Sequence, residues 1–436
     1  MAHDLVIEGK AFIGQDFQTC CIGIDNGKIT AIKKIAEGDK RITCSHQLIL
    51  PAAVDCHVHF RDPGFLRKET ITTGSTAALY GGVSCVFDMP NTKPVADSVQ
   101  LLKEKYKRIQ QSSLIDMGLY GAVTEKNIEE LTTIADFCHG FKMFLGETTN
   151  ALTFPLSLFQ RAFEQIRKTT KPLYIHAEDS TCLQHHIKQA NTLEEYLLIR
   201  PVECECIAVK FILEAIQNVT HPIHFCHISS KDALLMLKNH PSHVSVGVTP
   251  HHALLNVSYA VASLQPQSYY KMNPPLRTRQ HQLAVLAHIM NGSVDMIESD
   301  HAPHALDEKQ GDFQKAPAGV PGVETMYPLF LSLAVQKKLS FSRLISLLCR
   351  NSASFLRLSK GNIQVGFDAD VIMIDPKQQV TISSDRLHSK AGWTPFEGMS
   401  AVFPKKMFLR GKCVLDDSEL QVSPGNGMCV SLDNSL

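Results

Sequence analysis

The sequence lacks an excess of charge of either sign, since its 436 residues include 43 lysines and arginines and 43 aspartates and glutamates. A basic surplus is typical of chains that bind nucleic acid or anionic membranes, so we expect neither partner. No uninterrupted apolar run approaches the roughly 20 residues that span a bilayer, and the first residues have no basic segment followed by an apolar one. We therefore expect a cytoplasmic protein that acts on a small molecule.

The cysteines do not form a disulfide pattern either. There are 13 of them, an odd number scattered through apparent strands and helices, whereas short secreted proteins use regularly spaced pairs. We expect most of these thiols to be buried as small hydrophobic groups. Cys204 and Cys206 lack the spacing of a zinc ribbon, so we expect no metal there.

What the sequence does contain is a long alternation of apolar runs with amphipathic stretches. This alternation is typical of βα units and a parallel sheet, and eight apolar runs match the strand number of a closed α/β barrel. The predicted strands are 48–57, 83–88, 115–121, 140–145, 172–176, 222–227, 244–249 and 294–299. Short strands without helical segments precede and follow this region, and Asn26-Gly27 is a strong hairpin signal.

We therefore predict an α/β protein with two parts. Residues 51–358 are predicted to form a (β/α)8 TIM barrel. Residues 1–50 and 359–436 are predicted to pack together as one small β domain formed from both chain ends.

His57 and His59 are the central candidates for metal binding. Side chains two apart on a strand share one face, so the two imidazoles can converge on a single ion. Such a pair suits zinc or a similar divalent metal. Taken alone it is a weak signal, because packed or solvated histidines are common. It gains weight because other predicted strands also end in candidate ligands.

Four more candidate ligands, Lys142, His176, His227 and Asp300, fall at strand ends. In a barrel these ends share the face that carries the active site. The complete set suits two metal ions if carbon dioxide converts the Lys142 amine into an anionic carbamate that bridges them. Two ions that share a hydroxide hydrolyse amide-like carbonyls, and Asp300 is the predicted proton shuttle.

Polar residues at the same rim indicate an anionic substrate. Arg61, Asn91, Asn273 and His304 all follow predicted strands. An arginine beside amide side chains favours a small molecule that carries a carboxylate. Taken alone, the two asparagines are more typical of loop residues that bind backbone groups.

Five segments carry a family resemblance. They are 55–64, 88–92, 249–252, 271–277 and 299–304. The most specific are His-Phe-Arg-Asp-Pro-Gly at 59–64 and Ser-Asp-His-Ala-Pro-His at 299–304. These segments resemble the dihydroorotase family of the amidohydrolase superfamily, and the resemblance runs through the whole predicted barrel.

The resemblance implies a reaction and a role for each candidate. The implied reaction is the reversible cyclisation of N-carbamoyl-L-aspartate to (S)-dihydroorotate plus water in pyrimidine synthesis, with Asp300 as the acid/base. The implied ligands are His57, His59, Lys142 and Asp300 for one zinc ion and Lys142, His176 and His227 for a second, with carboxylated Lys142 and a hydroxide as bridges. The implied substrate-binding groups are Arg61, Asn91 and His304 for the carboxylate, and Asn273 with the backbone of Ala318 and Gly319 for the ring. Glu147 is a minor alternative bridge, and His251 and His252 are interpreted as structural.

Three alternatives stay open. Allantoinase and dihydropyrimidinase share the barrel and the metal set, but a neutral cyclic imide would not need the carboxylate-binding group of Arg61, Asn91 and His304. The third is an inactive scaffold for aspartate transcarbamoylase, although such a homologue should have lost metal ligands. Besides the substrate, we expect a second copy in a homodimer and an association with aspartate transcarbamoylase as partners.

Overall fold

The strands of the molecule fall into a barrel and a separate small sheet. The computed structural model describes residues 2–147, 152–186 and 189–432. In chain order the strands are β1 (His3–Ile13), β2 (Asp16–Asp25), β3 (Lys28–Lys33), β4 (Gly38–Pro51), β5 (Ala53–Val58), β6 (Val83–Asp88), β7 (Asp116–Leu119), β8 (Gly121–Ala122), β9 (Phe141–Phe144), β10 (Leu173–His176), β11 (Ile223–Phe225), β12 (Val244–Val248), β13 (Met296–Ile297), β14 (Val371–Ile374), β15 (Val380–Thr381), β16 (Ser400–Ala401), β17 (Pro404–Leu409), β18 (Lys412–Asp416) and β19 (Glu419–Leu420).

Helices follow most of the barrel strands, and many begin at a Ser, Thr or Asp side chain that accepts a backbone N–H. Ser98, for example, accepts from the amide of Leu101, as an N-cap should. The α-helices are α1 (Ile71–Tyr80), α2 (Val99–Ser112), α3 (Leu131–Ile134), α4 (Phe159–Ile166), α5 (Ser180–Gln184), α6 (Leu193–Ile199), α7 (Val202–Ala215), α8 (Lys231–Met236), α9 (Pro250–Leu254), α10 (Val257–Ala262), α11 (Arg279–Asn291), α12 (Leu306–Lys309), α13 (Val323–Val335), α14 (Phe341–Ile345) and α15 (Asn351–Phe355). Single 3₁₀ turns and one π-helical turn at Ser346–Arg350, between α14 and α15, complete the helical elements in the described ranges.

The barrel consists of parallel strands from β5 to β13. β5, β6 and β7 pair in one run and β8 to β13 in a second, with β7 and β8 as two parts of the third barrel strand. A parallel bridge between Val58 and His301 connects the first strand to the end of the last. All residues of β6 are buried, as expected for strands with helices outside and packed side chains inside. The prediction of a (β/α)8 barrel is confirmed.

The small sheet draws its strands from both ends of the chain, as predicted. Its order is β19-β18-β17-β14-β4-β1-β2-β3. The predicted hairpin joins β2 to β3 at Asn26 and Gly27, whose φ angles are 51° and 78°, the left-handed conformation that a tight turn of this type requires. The sheet has a hydrophobic core of its own, which includes Ile7, Ile22 and Val371.

The first barrel strand is shorter than predicted. The sequence predicts that residues 48–51 belong to it, but the structure places them at the end of β4, where they pair with β14. The apolar run from 48 to 54 has no break in periodicity at which a change of sheet could be seen. Only Ala52 separates β4 from β5, so the strand that carries His57 directly continues the small sheet.

A buried ion cluster joins the small sheet to the barrel. The amine of Lys360 lies 2.7, 2.8 and 2.7 Å from carboxylate oxygens of Asp116, Asp368 and Asp370, respectively. Asp116 belongs to barrel strand β7, whereas the other two aspartates precede β14. Burial acts to lower the pKa of Lys360, but the three carboxylates outweigh it and raise this pKa. The lysine is therefore a charged link between the two parts.

One cysteine pair differs from expectation. Cys182 in α5 and Cys204 in α7 form a disulfide, with Cα atoms 5.4 Å apart. Most of the remaining cysteines are buried and free, as expected. Spacing along the chain could not show the pair, because only the fold brings the two helices together. Across the described ranges, no helix is both long and apolar enough to cross a bilayer.

Candidate active site

The structure brings the predicted metal ligands to one end of the barrel. They are His57 in β5, His59 just after it, Lys142 in β9, His176 at the end of β10, His227 after β11 and Asp300 after β13. His227 and Asp300 have positive φ angles of 39° and 43°, a sparsely populated conformation that clusters at functional sites. Their chemical roles stay predictions, but the ring of ligands that the roles require is present.

Asp300 joins His57 and His59 in a first group. Its Oδ1 lies 3.4 Å from His57 Nε2 and 3.2 Å from His59 Nε2, and one ligand atom from each residue lies within 4.8 Å of the others. The two rings are 5.2 Å apart, because the residues stand two apart on an extended chain. Two imidazoles and a carboxylate are ligands that zinc prefers.

His176 and His227 form a second group beside the first. His176 Nδ1 lies 3.1 Å from His227 Nε2, and the His227 ring lies 5.2 Å from that of His57. Lys142 is fully buried, and its amine donates to the Sγ of Cys226 at 3.0 Å. A cation buried without an anionic partner is unfavourable, whereas carboxylation would replace this cation by an anion.

Side chains outside these two groups set the orientation of the imidazoles. His57 Nδ1 lies 3.1 Å from Oε2 of Glu298, and His59 Nδ1 lies 2.6 Å from Oδ1 of Asn91. Carboxylate and amide oxygens accept, so each Nδ1 is a donor and each Nε2 carries a lone pair. Metal-binding histidines commonly have such a partner on the second ring nitrogen.

His176 has the same arrangement with the opposite nitrogen. Its Nε2 lies 2.9 Å from Oε2 of Glu178, and Arg200 donates to the same carboxylate at 2.5 Å. Burial acts to raise the pKa of Glu178, but Arg200 and His176 outweigh it and lower this pKa. Sequence reasoning missed Glu178 and Glu298, although each stands two residues from a predicted ligand at a strand end, and that spacing is the signal that could have identified them.

The charge states of the groups follow from burial. Burial, followed by the charge of Lys142, lowers the pKa of His57 to about 4, and burial also lowers the pKa values of the other three imidazoles. For Asp300, burial acts to raise the pKa, but His57 and His59 outweigh it and lower this pKa. Neutral imidazoles and an ionised carboxylate are the forms that bind metals.

These charge states make the donor set fit a divalent cation. The lone pairs on Nε2 of His57 and His59 face a carboxylate oxygen of Asp300 at 3.4 and 3.2 Å. Three acceptors thus converge with no proton among them, an arrangement that a bound cation would satisfy and that hydrogen bonds alone would not. His176 Nδ1 is likewise an acceptor, since its other nitrogen donates to Glu178.

Arg61 lies beside the metal ligands with part of its guanidinium unused. It is 2% exposed, its Nε donates to the carbonyl of Pro303 at 3.1 Å, and its Nη2 lies 3.4 Å from Nε2 of His304. Nη1 is buried and has no hydrogen-bond partner among the described residues. Burial lowers the pKa of Arg61 to about 10, so it stays charged at neutral pH and can bind a carboxylate.

Asn91 and Asn273 both face this pocket. Their carbonyl oxygens are occupied, because Asn91 accepts from His59 and Asn273 accepts from the hydroxyl of Tyr196 at 2.7 Å. Each residue is thus left with its amide N–H groups, which can bind substrate oxygens. The occupied oxygens agree with the structural interpretation, and the free N–H groups leave the binding role a prediction.

The remaining predicted substrate groups already have partners within the protein. The N–H of Gly319 donates to the carbonyl of Lys271 at 2.9 Å, and the carbonyl of Ala318 lies 2.9 Å from His304 Nε2. Lys68 lies 2.9 Å from Nδ1 of the same imidazole, so that Nδ1 accepts and Nε2 donates. His304 and these backbone groups therefore form one connected network at the pocket wall.

An outer cavity of about 420 Å³, with His304 in its lining, shares Asn273 and Ala318 with this pocket. Its size suits a small molecule. Glu147, the alternative bridge, is exposed and lines the outer cavity, not the pocket with the histidines. His252 bonds Thr249 and the carbonyl of Pro274, in agreement with a structural role.

Comparison with known proteins defines the class. The profile of the amidohydrolase family matches residues 48–414, so the chain belongs to the amidohydrolase family. Its curated relatives include the dihydroorotase of Methanosarcina acetivorans, 38% identical over 93% of this chain and 90% of that protein. The dihydroorotase of Thermoplasma acidophilum is 36% identical over 96% of both chains. These relatives identify the chain as an enzyme of the cyclic amidohydrolase type.

Solved structures agree on the fold. L-hydantoinase (dihydropyrimidinase) from Arthrobacter aurescens superposes with a TM-score of 0.93 over 98% of this chain and 100% of its own, at 24% identity. Dihydropyrimidinase from Brevibacillus agri superposes with a TM-score of 0.86 over 98% of each chain, at 22% identity. At these identities the likeness concerns the fold alone.

Proposed function

We propose that this protein is a dihydroorotase, which interconverts N-carbamoyl-L-aspartate and dihydroorotate in pyrimidine synthesis. The observation that carries the proposal is the buried, partly unpaired guanidinium of Arg61 next to the histidine cluster. A neutral cyclic amide offers this cation only carbonyl oxygens, whereas dihydroorotate carries a carboxylate that can pair with its charge. The curated relatives named above support the same activity.

Two zinc ions are the proposed cofactors. His57, His59 and Asp300 would hold one ion and His176 and His227 the other, with carboxylated Lys142 between them. When bound, such a pair lowers the pKa of a shared water towards neutrality and polarises the carbonyl under attack.

Asp300 is the proposed acid and base. In the hydrolytic direction, water adds through its oxygen to the ring carbonyl carbon, the carbon–nitrogen bond breaks and the departing nitrogen gains a proton. The lowered pKa of Asp300 keeps its carboxylate ionised, ready to accept the water proton and pass it to that nitrogen. Cyclisation runs through the same positions in reverse and releases water.

Substrate orientation is the proposed task of the pocket wall. Nη1 and Nη2 of Arg61 can donate to the two oxygens of a carboxylate, and the free amide of Asn91 lines the same pocket. The ring of His304, 3.4 Å from Nη2 of Arg61, would complete the group. Asn273 and the backbone at Ala318 and Gly319 would hold the ring. A carboxylate bound here fixes the ring relative to Asp300, and such positioning contributes much of the rate in reactions of this kind.

The second candidate is a hydantoinase or dihydropyrimidinase, because solved structures with these names superpose on this chain. It shares the barrel, so the choice depends on the substrate carboxylate. The scaffold alternative is disfavoured because the residues described here include every predicted metal ligand.

The test is a set of absorbance assays on purified protein with dihydroorotate, carbamoyl aspartate, allantoin and dihydrouracil, with metal content measured on the same sample. Interconversion of the first pair alone, with about two metals per chain, is the expected result. Turnover of a neutral control would support the second candidate instead. No turnover by the metal-loaded protein would support the scaffold.

Homodimer formation, association with aspartate transcarbamoylase and a cytoplasmic location stay predictions of the sequence. Size-exclusion chromatography with light scattering, alone and with added aspartate transcarbamoylase, tests the first two. Cell fractionation tests the third.

A further inference from the structure

Glu298 is a buried carboxylate whose contact with His57 is only one of the polar contacts that it makes beside the two groups of ligands. It lies in the barrel interior next to the metal ligands and is fully buried. Its Oε2 lies 3.1 Å from His57 Nδ1 and 3.3 Å from His224 Nε2, and its Oε1 accepts from the backbone N–H of His227 at 2.5 Å. One side chain thus contacts both groups of ligands.

The surrounding strands leave a space that fits this carboxylate. A Cβ atom at Gly247 would lie 2.7 Å from Oε1 of Glu298 and 2.6 Å from Nε2 of His224, closer than such atoms approach. Glycine at position 247 therefore leaves the space that the Glu298 carboxylate and the His224 imidazole occupy. His224 is fixed from its other side, because its Nδ1 lies 2.7 Å from the hydroxyl of Ser245.

The hydrogen-bond roles favour an anion at this position. The Ser245 hydroxyl can donate to His224 Nδ1, which leaves Nε2 of that ring as a donor towards Glu298. His57 Nδ1 and the N–H of His227 are donors as well, and the Cys56 thiol donates to Oε2 at 3.7 Å, so four donors converge on the two oxygens of Glu298. A carboxylate accepts all four. A glutamine would place its NH₂ group, which is a donor, where one of the carboxylate oxygens now accepts.

We propose that Glu298 is a positioning residue that fixes the two groups of metal ligands relative to each other. This inference rests on the proposed metal site. Through His57 Nδ1 it orients Nε2 towards His59 and Asp300, and a carboxylate partner strengthens an imidazole as a ligand. Through the backbone of His227 it fixes the turn that presents the second group. The Ser245–His224 pair holds the Glu298 carboxylate through Nε2 of His224.

The test measures metal retention without substrate. Wild type, Glu298→Gln and Glu205→Gln are loaded with Zn²⁺ or Co²⁺, and metal transfer to a chromophoric chelator is followed together with the visible spectrum of the Co²⁺ protein. Glu205 is the matched control, because it is also a buried glutamate that accepts from a backbone N–H, that of Ser229. We expect Glu298→Gln to weaken metal binding about 10- to 100-fold and to change the Co²⁺ spectrum. Glu205→Gln should lower the unfolding temperature and leave both readouts unchanged.

Several outcomes would overturn the proposal. They are unchanged metal retention and spectrum in Glu298→Gln, equal losses in both variants, loss of a third metal equivalent for which Glu298 is itself a ligand, and a wild type that retains no metal. If Glu298→Gln does not fold, Ser245→Ala replaces it and should weaken retention in the same direction by a smaller factor. Because no substrate is present, a wild type inactive on dihydroorotate would refute the proposed function and leave this result standing.

Discussion

Replacing Arg61 by methionine tests the part of the proposed function that distinguishes it from its alternatives. Methionine has a similar length but no donors, so Arg61→Met removes the guanidinium while largely keeping its packing. Within the described residues, the guanidinium makes no ion pair and leaves Nη1 without a partner. The loss should therefore fall mainly on the substrate and to a lesser extent on the fold.

The size of the effect follows from the hydrogen bonds that are lost. Each hydrogen bond to a charged group contributes about 1.5–3 kcal/mol. Nη1, which is free, and Nη2, which faces the donor Nε2 of His304, could make two of them. Even the lower end of this sum, about 3 kcal/mol, corresponds to a drop of roughly 100-fold in kcat/KM. The fold should lose only the bond from Nε to Pro303, or about 1.5–3 kcal/mol.

The assay compares kcat/KM for dihydroorotate and carbamoyl aspartate in wild type, Arg61→Met and Arg343→Met. Arg343 is the matched control, because its guanidinium also donates to backbone oxygens, those of Ile289 and Val294, but does not line the pocket. Arg343→Met should lose stability and keep kcat/KM. A folded, metal-loaded Arg61→Met with a decrease of less than about threefold would refute the carboxylate-binding role, since one such hydrogen bond alone is worth more.

Three further predictions concern proton transfer, the metals and the Lys360 ion cluster between the small sheet and the barrel. Asp300→Ala should lower kcat by about 10²- to 10⁴-fold while metal content largely survives, and near-normal turnover would contradict its assignment. Chelation should abolish turnover and lower the unfolding temperature, both reversed by Zn²⁺, because metal that binds only the folded state stabilises it. An unchanged melting curve would argue against a metal at His57 and His59. Lys360→Met should cost about 3–5 kcal/mol at pH 7, measured by denaturant unfolding. This deficit should shrink at pH 5 as Asp370, whose pKa is raised by burial, takes up a proton, whereas Asp116 and Asp368 keep Arg410 and Lys28 as partners. In wild type the raised pKa of Lys360 means that its stabilisation is present below its ordinary value of 10.5 and lost as pH rises through the folded-state value above it, so a loss well below pH 10 would contradict the cluster.

The barrel and its ligand ring were predictable because their signals are local. An apolar run followed by a histidine or an aspartate marks a strand end wherever it occurs, and barrel geometry then places all such ends together. His176 and Asp300 could be found this way without knowledge of their neighbours. The division of residues 48–58 between two sheets was not predictable, because Leu48 to Val54 is apolar throughout and both sheets bury it.

The residues that hold the ligands were harder to find. Glu298 and Glu178 are buried carboxylates. Their charges are stabilised by donors from other segments, such as Arg200 after α6, that only the folded chain brings near. The occupied carbonyl oxygen of Asn273 is another example, since Tyr196 lies far from it in sequence. Sequence patterns identify which residues can bind a metal, whereas their orientation depends on contacts between distant segments.

The position of β4 between β1 and β14 has a consequence for synthesis on the ribosome. β4 can pair with β1 early, but its other edge waits for β14, which follows Pro51 by about 320 residues. At about 5–20 residues per second that interval is roughly 15 to 65 s. During this time an apolar strand edge is open to other nascent chains, and such edges promote aggregation. The same strand leads directly to His57 and His59, so the metal site can reach its final geometry only late in synthesis.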